Sequence, residues 1–226
     1  MNMNNQIGSL SPDFKTFFSK NEKELSSVEG NLMSVAKGKD IKTVFITSCY
    51  PSEGKTVSAV SMAYALATIA NSRVLLIDGN LHAPKIHELF HINNTPGLAD
   101  LLLANTEANG LIRKTEYDSL SVMPCGTDLF NKLDAFETEM LKEKLAALSQ
   151  VYNFIIVDGS SVLGSSETTV IANKFDGVVF VVECEKTKWE VLQQAKDRIA
   201  GVGGNVLGVV LNRRKYYIPQ KLYAKV

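Results

Sequence analysis

Residues 43–56 read Thr43-Val44-Phe45-Ile46-Thr47-Ser48-Cys49-Tyr50-Pro51-Ser52-Glu53-Gly54-Lys55-Thr56, and this stretch decides the fold. It begins as a β-branched, apolar run of strand length and passes through a turn containing Pro51, Ser52 and Gly54. It ends by opening an Ala-rich segment, residues 55–70, that is apolar nearly all round. A strand feeding a buried helix through such a turn points backbone N–H groups and the positive end of the helix dipole at one spot, where an anion is favoured. Lys55 stands where an ammonium bridges β- and γ-phosphates, and Thr56 where a hydroxyl ligates Mg²⁺. The pattern G-x-x-x-x-G-K-[ST] is met at Gly54-Lys55-Thr56 and missed at its first glycine, whose place Cys49 takes. A plain strand-to-helix turn with an exposed lysine is the competing reading.

Outward from this stretch, short apolar runs alternate with longer helical ones. The runs are Val74–Asp78, Leu120–Met123, Phe154–Asp158 and residues 177–182 and 206–211, which with residues 43–48 predict six strands. Their near-continuous apolarity is what strands covered on both faces show. Residues 136–148 place Phe136, Met140, Leu141, Leu145 and Leu148 on one helical face, and residues 187–200 do the same with Trp189, Leu192, Ala195 and Ile199. Both stripes read as core. The alternation predicts an α/β, three-layer fold, a mainly parallel β-sheet flanked by helices, with right-handed crossovers and ligands outside the carboxyl ends of the strands. Residues 1–40 are polar and read as a mobile lead-in with one helix around residues 14–33. The expected organisation is this lead-in, a nucleotide-binding domain over residues 41–212, and a tail over residues 213–226.

Length and composition narrow the function classes. The chain has 226 residues, 24 basic and 24 acidic side chains and 45% hydrophobic residues. That is ordinary for a globular protein, and a single core of this size buries roughly 70% of the unfolded surface without a disulfide or metal. Zero formal charge argues against a protein whose main task is coating nucleic acid, so no nucleic-acid partner is expected. Cys49, Cys125 and Cys184 are odd in number and widely spaced, which fits a reducing, cytoplasmic setting. The first fifteen residues do not read as a secretory signal, and no apolar run approaches the ~20 residues of a membrane helix.

A phosphoryl-transfer site also needs carboxylates at strand ends to hold a metal and to deprotonate or orient the nucleophile. Asp78 and Asp158 each close an apolar strand and are expected at the same sheet edge as the loop. Either alone could be a helix cap or turn former; together with the loop they read as a site. His82, His87 and His91 have no acidic or thiol partner arranged with them, and a solvent-facing or core role is preferred to zinc.

On these residues the sequence resembles the cytoplasmic kinase domain of the bacterial tyrosine kinases of capsular and exopolysaccharide export, P-loop NTPases related to partition and septum-site ATPases. The resemblance covers roughly residues 40–218. It rests on the Walker A stretch 51–56 with its leading Pro51, a second Walker motif over residues 74–90, the stretch 97–102, Asp158 as the Walker B aspartate, and Leu211-Asn212-Arg213. It implies ATP/ADP and Mg²⁺ as cofactors. By resemblance Pro51, Ser52, Glu53, Gly54, Lys55, Thr56 and Val57 form the nucleotide loop, and Asn212 reads the adenine edge. Thr56, Asp78 and Asp158 belong to the metal site, and Asp78 is the candidate base toward a tyrosine hydroxyl. Tyr216, Tyr217 and Tyr223 resemble a shortened autophosphorylated cluster, with a packed amphipathic tail as the alternative. The implied partner is a membrane-embedded polysaccharide co-polymerase that activates the kinase and recruits it to the inner face of the membrane, with self-association as a further expectation.

The chain departs from the family pattern at several places. Asn80 stands where a second aspartate is usual and His82 where an arginine is. Gly159-Ser160-Ser161 replaces Thr-Pro-Pro, and Glu167 stands for the aspartate that usually follows. The Asn-Pro-x-Glu stretch appears only as Asn131-Lys132-Leu133-Asp134, and no arginine precedes Arg73, so the family's N-terminal oligomerisation pattern is missing. Two other functions therefore stay open: a catalytically weakened nucleotide-binding regulatory subunit, and a partition-type ATPase, the latter weakened by the absent signature lysine. The tail carries Arg213, Arg214, Lys215, Lys221 and Lys225 and no acid, a charge suited to an acidic site or an anionic membrane surface, or to a solvated end.

Overall fold

The computed structural model describes residues 7–103, 108–126 and 139–215. Seven strands form one sheet: β1 (Thr43–Ser48), β2 (Val74–Asp78), β3 (Arg113–Lys114), β4 (Leu120–Met123), β5 (Phe154–Asp158), β6 (Gly177–Glu183) and β7 (Val206–Asn212). Their order is β3-β4-β2-β5-β1-β6-β7. All neighbours pair parallel except β3, which runs antiparallel on β4. The six expected strands are present. β3 is the addition, and a two-residue strand is too short to leave a periodic signal.

The strands are apolar throughout because both faces are covered. Along β1, Val44 and Ile46 enter one core and Phe45 the other; along β5, Phe154 and Ile156 oppose Ile155 and Val157 in the same way. Helix α3 (Lys55–Thr68) lies in the core on the Val44 side with α1 (Pro12–Lys20), α2 (Glu22–Lys39) and α4 (Ile86–Leu89). The Phe45 side is covered by α5 (Leu98–Leu103), α6 (Glu139–Leu148), α7 (Ser166–Ile171) and α8 (Trp189–Gly201). Such two-sided cover is the layered solution that buries a parallel sheet.

Two expectations need correction. The lead-in forms two helices, parted at Asn21 (φ −118°, ψ 28°), whose side-chain amide donates to the Phe17 carbonyl at 2.8 Å. It is also packed on the body. Leu10, Phe18, Leu25, Leu32 and Ala36 are buried, Phe18 stacks on Tyr64 with centroids 4.0 Å apart, and the Leu10 N–H donates to Glu116 at 2.7 Å. Its polar residues cover the outward faces, and the sparse apolar ones recur at helical spacing on the inward face. Trp189, expected in the core stripe, is 65% exposed, while Leu192, Ala195 and Ile199 are buried. As the first residue of α8 it lies past the reach of the core, with Lys196 Nζ 6.0 Å from its ring centroid. Phe136, the Asn131-Lys132-Leu133-Asp134 stretch and Tyr216, Tyr217 and Tyr223 lie outside the described residues.

Phe18→Ala is expected to cost about 3 kcal/mol of stability, because it removes a buried aromatic anchor of the lead-in. Urea denaturation should show a lower midpoint at an unchanged slope. An unchanged midpoint would mean that residues 12–39 fold separately from the sheet.

Candidate functional site

The strand ends on one edge of the sheet converge through register alone. β5 lies between β2 and β1, its Asp158 pairing with Asp78 on one side and with Ile46 on the other. The loop after β1 therefore leaves the sheet beside both aspartates. This is the edge at which ligands of parallel sheets bind.

The loop is held from beneath by its own acid. Glu53 is 3% exposed and turns its carboxylate into the protein, where it accepts from the Tyr50 N–H at 2.8 Å and from the Thr187 hydroxyl. Glu53, expected among the nucleotide-loop residues, thus serves the loop's shape through its side chain. Asn212, at the end of β7, donates from its amide to the Glu53 carbonyl at 2.9 Å. Gly54 has φ 97°, and a Cβ there would sit 2.0 Å from the Asn212 amide nitrogen, so only glycine fits. In this arrangement Asn212 clamps the loop. Cys49, in place of the usual first glycine, is fully buried; burial first and the Glu53 charge second push its thiol up to about 12. A thiol so placed is a packing group, not a nucleophile.

Above the loop α3 begins at Lys55, and its second residue, Thr56, donates its hydroxyl to Asp158 Oδ2 at 2.6 Å. Lys55 is 7% exposed. Burial lowers its pKa, opposed by the charges of Asp158 and Glu53. Asp158 Oδ1 is buried without a hydrogen-bond partner. Burial, then the Asp78 charge, raise the Asp158 pKa against the pull of the Thr56 hydrogen bond and Lys55. A hydroxyl beside a carboxylate oxygen with no partner is a donor set that suits a hard divalent cation such as Mg²⁺, which keeps waters and takes few protein oxygens.

Asp78 has a different setting. It is fully buried, its Oδ2 accepts from the Lys85 and Ile86 N–H groups, each at 2.9 Å, and its Oδ1 accepts from the Asn80 N–H at 3.2 Å. Burial raises its pKa and these N–H groups lower it, the first effect being larger. Both oxygens take part in shaping the 80–86 loop, and the carboxylate is not among the groups that line the cleft described below.

A cleft of about 430 Å³ opens over the loop. Pro51, Ser52, Gly54, Lys55, Thr56 and Val57 form one wall, and Asn80, His82, Lys85, Ser160, Ser161 and Ser165 form the other. Glu53, Asp78, Asp158 and Asn212 stand behind these walls. The Ser160 hydroxyl donates to Asn80 Oδ1 at 3.0 Å, joining the two residues that replace charged and proline positions of the family pattern. His82 faces Glu167, Nε2 to Oε2 3.9 Å, whereas His87 has its Nδ1 buried and His91 follows α4 at φ 52°. Only His82 of the three belongs to the cleft. Sequence reading grouped it with the other histidines and also placed it where the family pattern has an arginine; its place four residues after an aspartate-terminated strand is what sets it apart.

The chain is similar to several known proteins in sequence and fold. YwqD of Bacillus subtilis (strain 168), named a tyrosine-protein kinase, is 28% identical over 197 residues, 87% of this chain and 83% of its own. CpsD of Streptococcus agalactiae, also so named, is 27% identical over 195 residues, 86% and 83%. The crystal structure of the chimerical protein CapA2B2 superposes with a TM-score of 0.81 at 27% identity, over 95% of this chain and 96% of that one. The VpsO kinase domain does so with 0.75 at 27% identity, over 88% and 100%. The septum site-determining protein MinD from Pyrococcus horikoshii, solved with Mg-ADP, shares the fold with a TM-score of 0.65 at 20% identity, over 81% and 76%. A family model described as "AAA domain" matches residues 42–205, from the residue before β1 to the residue before β7, and the chain belongs to that family.

Proposed function

We propose that this protein is an ATP-dependent protein tyrosine kinase that phosphorylates its own tail at Tyr216, Tyr217 and Tyr223 and regulates exopolysaccharide or capsule polymerisation and export. A membrane-embedded co-polymerase is its activator and holds it at the inner face of the membrane. The observation that carries the reading is the Thr56–Asp158 contact at 2.6 Å beside Lys55 in an open cleft. The names of the relatives support the phosphotransfer.

In this reading the loop and Lys55 take the phosphates of ATP, and Thr56 with Asp158 hold Mg²⁺. The metal supplies neutralisation of charge on the phosphate oxygens when bound. Asp78 adds negative charge at the metal's edge and keeps the 80–86 loop in place. Among the described residues no helix is long and apolar enough to cross a membrane.

A regulatory subunit without catalysis is the second reading, favoured by the neutral Asn80–Ser160 pair on the cleft wall. Purified chain given labelled ATP and Mg²⁺ separates the two. Label is expected on the wild type, with a loss of about 100-fold in Lys55→Ala, since one electrostatic group of this kind contributes on that order. A Tyr216/Tyr217/Tyr223 triple Phe variant should bind ATP and remain unlabelled. ATP binding with no label on the wild type would favour the regulatory reading.

The acid pair also makes a stability prediction. Asp78 and Asp158 have pKa values raised by burial, so in the pH range between the ordinary carboxyl value of about 4 and the raised values the folded protein holds protons that the unfolded chain releases. Stability of the metal-free and nucleotide-free protein therefore falls as pH rises through that range. Asp158→Asn should melt about 3 °C above wild type at pH 8, with the difference shrinking toward pH 5, while losing Mg²⁺-dependent nucleotide affinity. Melting curves in a chelator at both pH values test this; a difference independent of pH would remove the acid pair as its cause.

A further inference from the structure

The phosphate loop holds a backbone that its own residues do not all favour. Ser52 has φ 65° and Gly54 φ 97°, so two left-handed residues flank Glu53. Glycine takes that conformation freely, whereas a serine persists in it only where the surroundings over-determine it. Two of the ties are local: the Ser48 hydroxyl donates to the Tyr50 carbonyl at 2.6 Å, and the Tyr50 N–H donates to Glu53 Oε2 at 2.8 Å. The others come from the ends of β6 and β7. The Asn212 amide holds the Glu53 carbonyl, and because the peptide that follows is planar and trans, the direction of the Gly54 N–H is fixed with it. Glu53 Oε1 accepts the Thr187 hydroxyl and, at 3.5 Å, the Glu183 N–H. Glu183 pairs with Asn212 across the two strands, the Cys184 N–H donates to the Asn212 carbonyl at 3.0 Å, and the Thr187 N–H closes back on the Glu183 carbonyl at 3.2 Å. Thr187 and Asn212 thus belong to one brace, which grips Glu53 by its carboxylate and by its carbonyl. Thr187 precedes the N-cap of α8, Lys188, yet its hydroxyl is directed at Glu53.

We propose that Thr187 is a positioning residue for the nucleotide: acting through Glu53, it keeps the Ser52–Gly54 backbone in the shape that receives the β-phosphate. The inference rests on the nucleotide part of the reading above and is independent of whether phosphoryl transfer follows. A carboxylate that is 3% exposed needs its donors, since burial without them costs the desolvation of the group. With the hydroxyl removed, Glu53 Oε1 keeps only the long bond to the Glu183 N–H. The carboxylate then gains by turning toward water, and the loop turns with it, because Glu53 lies between the two left-handed residues. The N–H groups of a loop of this type act on phosphates, not on base or ribose, so the loss falls on the phosphate-dependent part of binding.

The test measures, by calorimetry in Mg²⁺, the affinity of the full chain for ADP and for AMP, which share base, ribose and α-phosphate and differ by the β-phosphate. The wild type is expected to prefer ADP. Thr187→Val keeps the side-chain shape and removes the hydroxyl; it should weaken ADP by about tenfold, the order of one hydrogen bond to a charged group, and leave AMP within about twofold. Thr187→Ser should bring ADP back to within about threefold of wild type, whereas a role in packing predicts the opposite order of the two variants. Glu53→Ala should lose at least as much ADP affinity as Thr187→Val, and adding Thr187→Val to it should cost less than about a further twofold, because the hydroxyl acts through that carboxylate. ADP affinity of Thr187→Val within about twofold of wild type, equal losses for ADP and AMP, no recovery in Thr187→Ser, or additive losses in the double variant would each overturn the assignment. A wild-type chain that binds ADP no better than AMP would instead remove the nucleotide reading at the loop, a failure seen before any substitution is made.

Discussion

Two carboxylates are forced side by side in the middle of this protein by strand register. Asp78 and Asp158 are paired partners at the ends of β2 and β5, both fully buried. Like charges so placed and desolvated raise each other's proton affinity and work against the fold unless other groups compensate. Asp78 is compensated by three backbone N–H groups, and those same bonds shape the loop that follows it. Asp158 is compensated only in part, by the Thr56 hydroxyl and the charge of Lys55, and keeps one oxygen without a partner. That asymmetry between neighbouring acids makes one a structural anchor and leaves the other with a buried oxygen that no group of the protein satisfies.

The phosphate loop depends on the same neighbourhood. Its approach to Asp158 is set from outside by Asn212, which reaches from the far edge of β7 to the Glu53 carbonyl, and from inside by the Glu53 carboxylate. These contacts, with the Thr187 hydroxyl on Glu53, tie β7, the loop and the segment between β6 and α8 into one unit. Cys49 fills the place of the usual first glycine as a buried packing group, and the loop's shape rests on these polar ties together with the left-handed backbone at Gly54. The opposite wall is assembled from the segments after β2 and β5, where the Ser160–Asn80 bond joins neutral residues and His82 faces Glu167.

Much of this was legible in residues 43–56, 74–78 and 154–158. Apolar runs ending in aspartate, a Gly-Lys-Thr turn and an Ala-rich helix are local signals, and each folded as expected. The lead-in was not legible, because Phe18 and Leu32 gain their meaning only from Tyr64 and the covered face of the sheet. Trp189 failed for the converse reason: it obeys the periodicity of its helix but lies past the end of the core beneath. The inward turn of Glu53 left no trace in sequence either, since its partners Thr187 and Glu183 stand about 130 positions away.

By itself the sequence determined that this is an α/β protein with a Gly-Lys-Thr turn between a strand and a buried helix and two aspartates at one edge, since periodicity, turn chemistry and strand-end placement are properties of neighbouring residues. Only the tertiary structure decided what each acid does. Whether a carboxylate meets backbone N–H groups, a hydroxyl or nothing depends on register and on loops that return from distant parts of the chain. Asp78 and Asp158 look alike in sequence, and the fold gives one three backbone partners and leaves the other an oxygen with none.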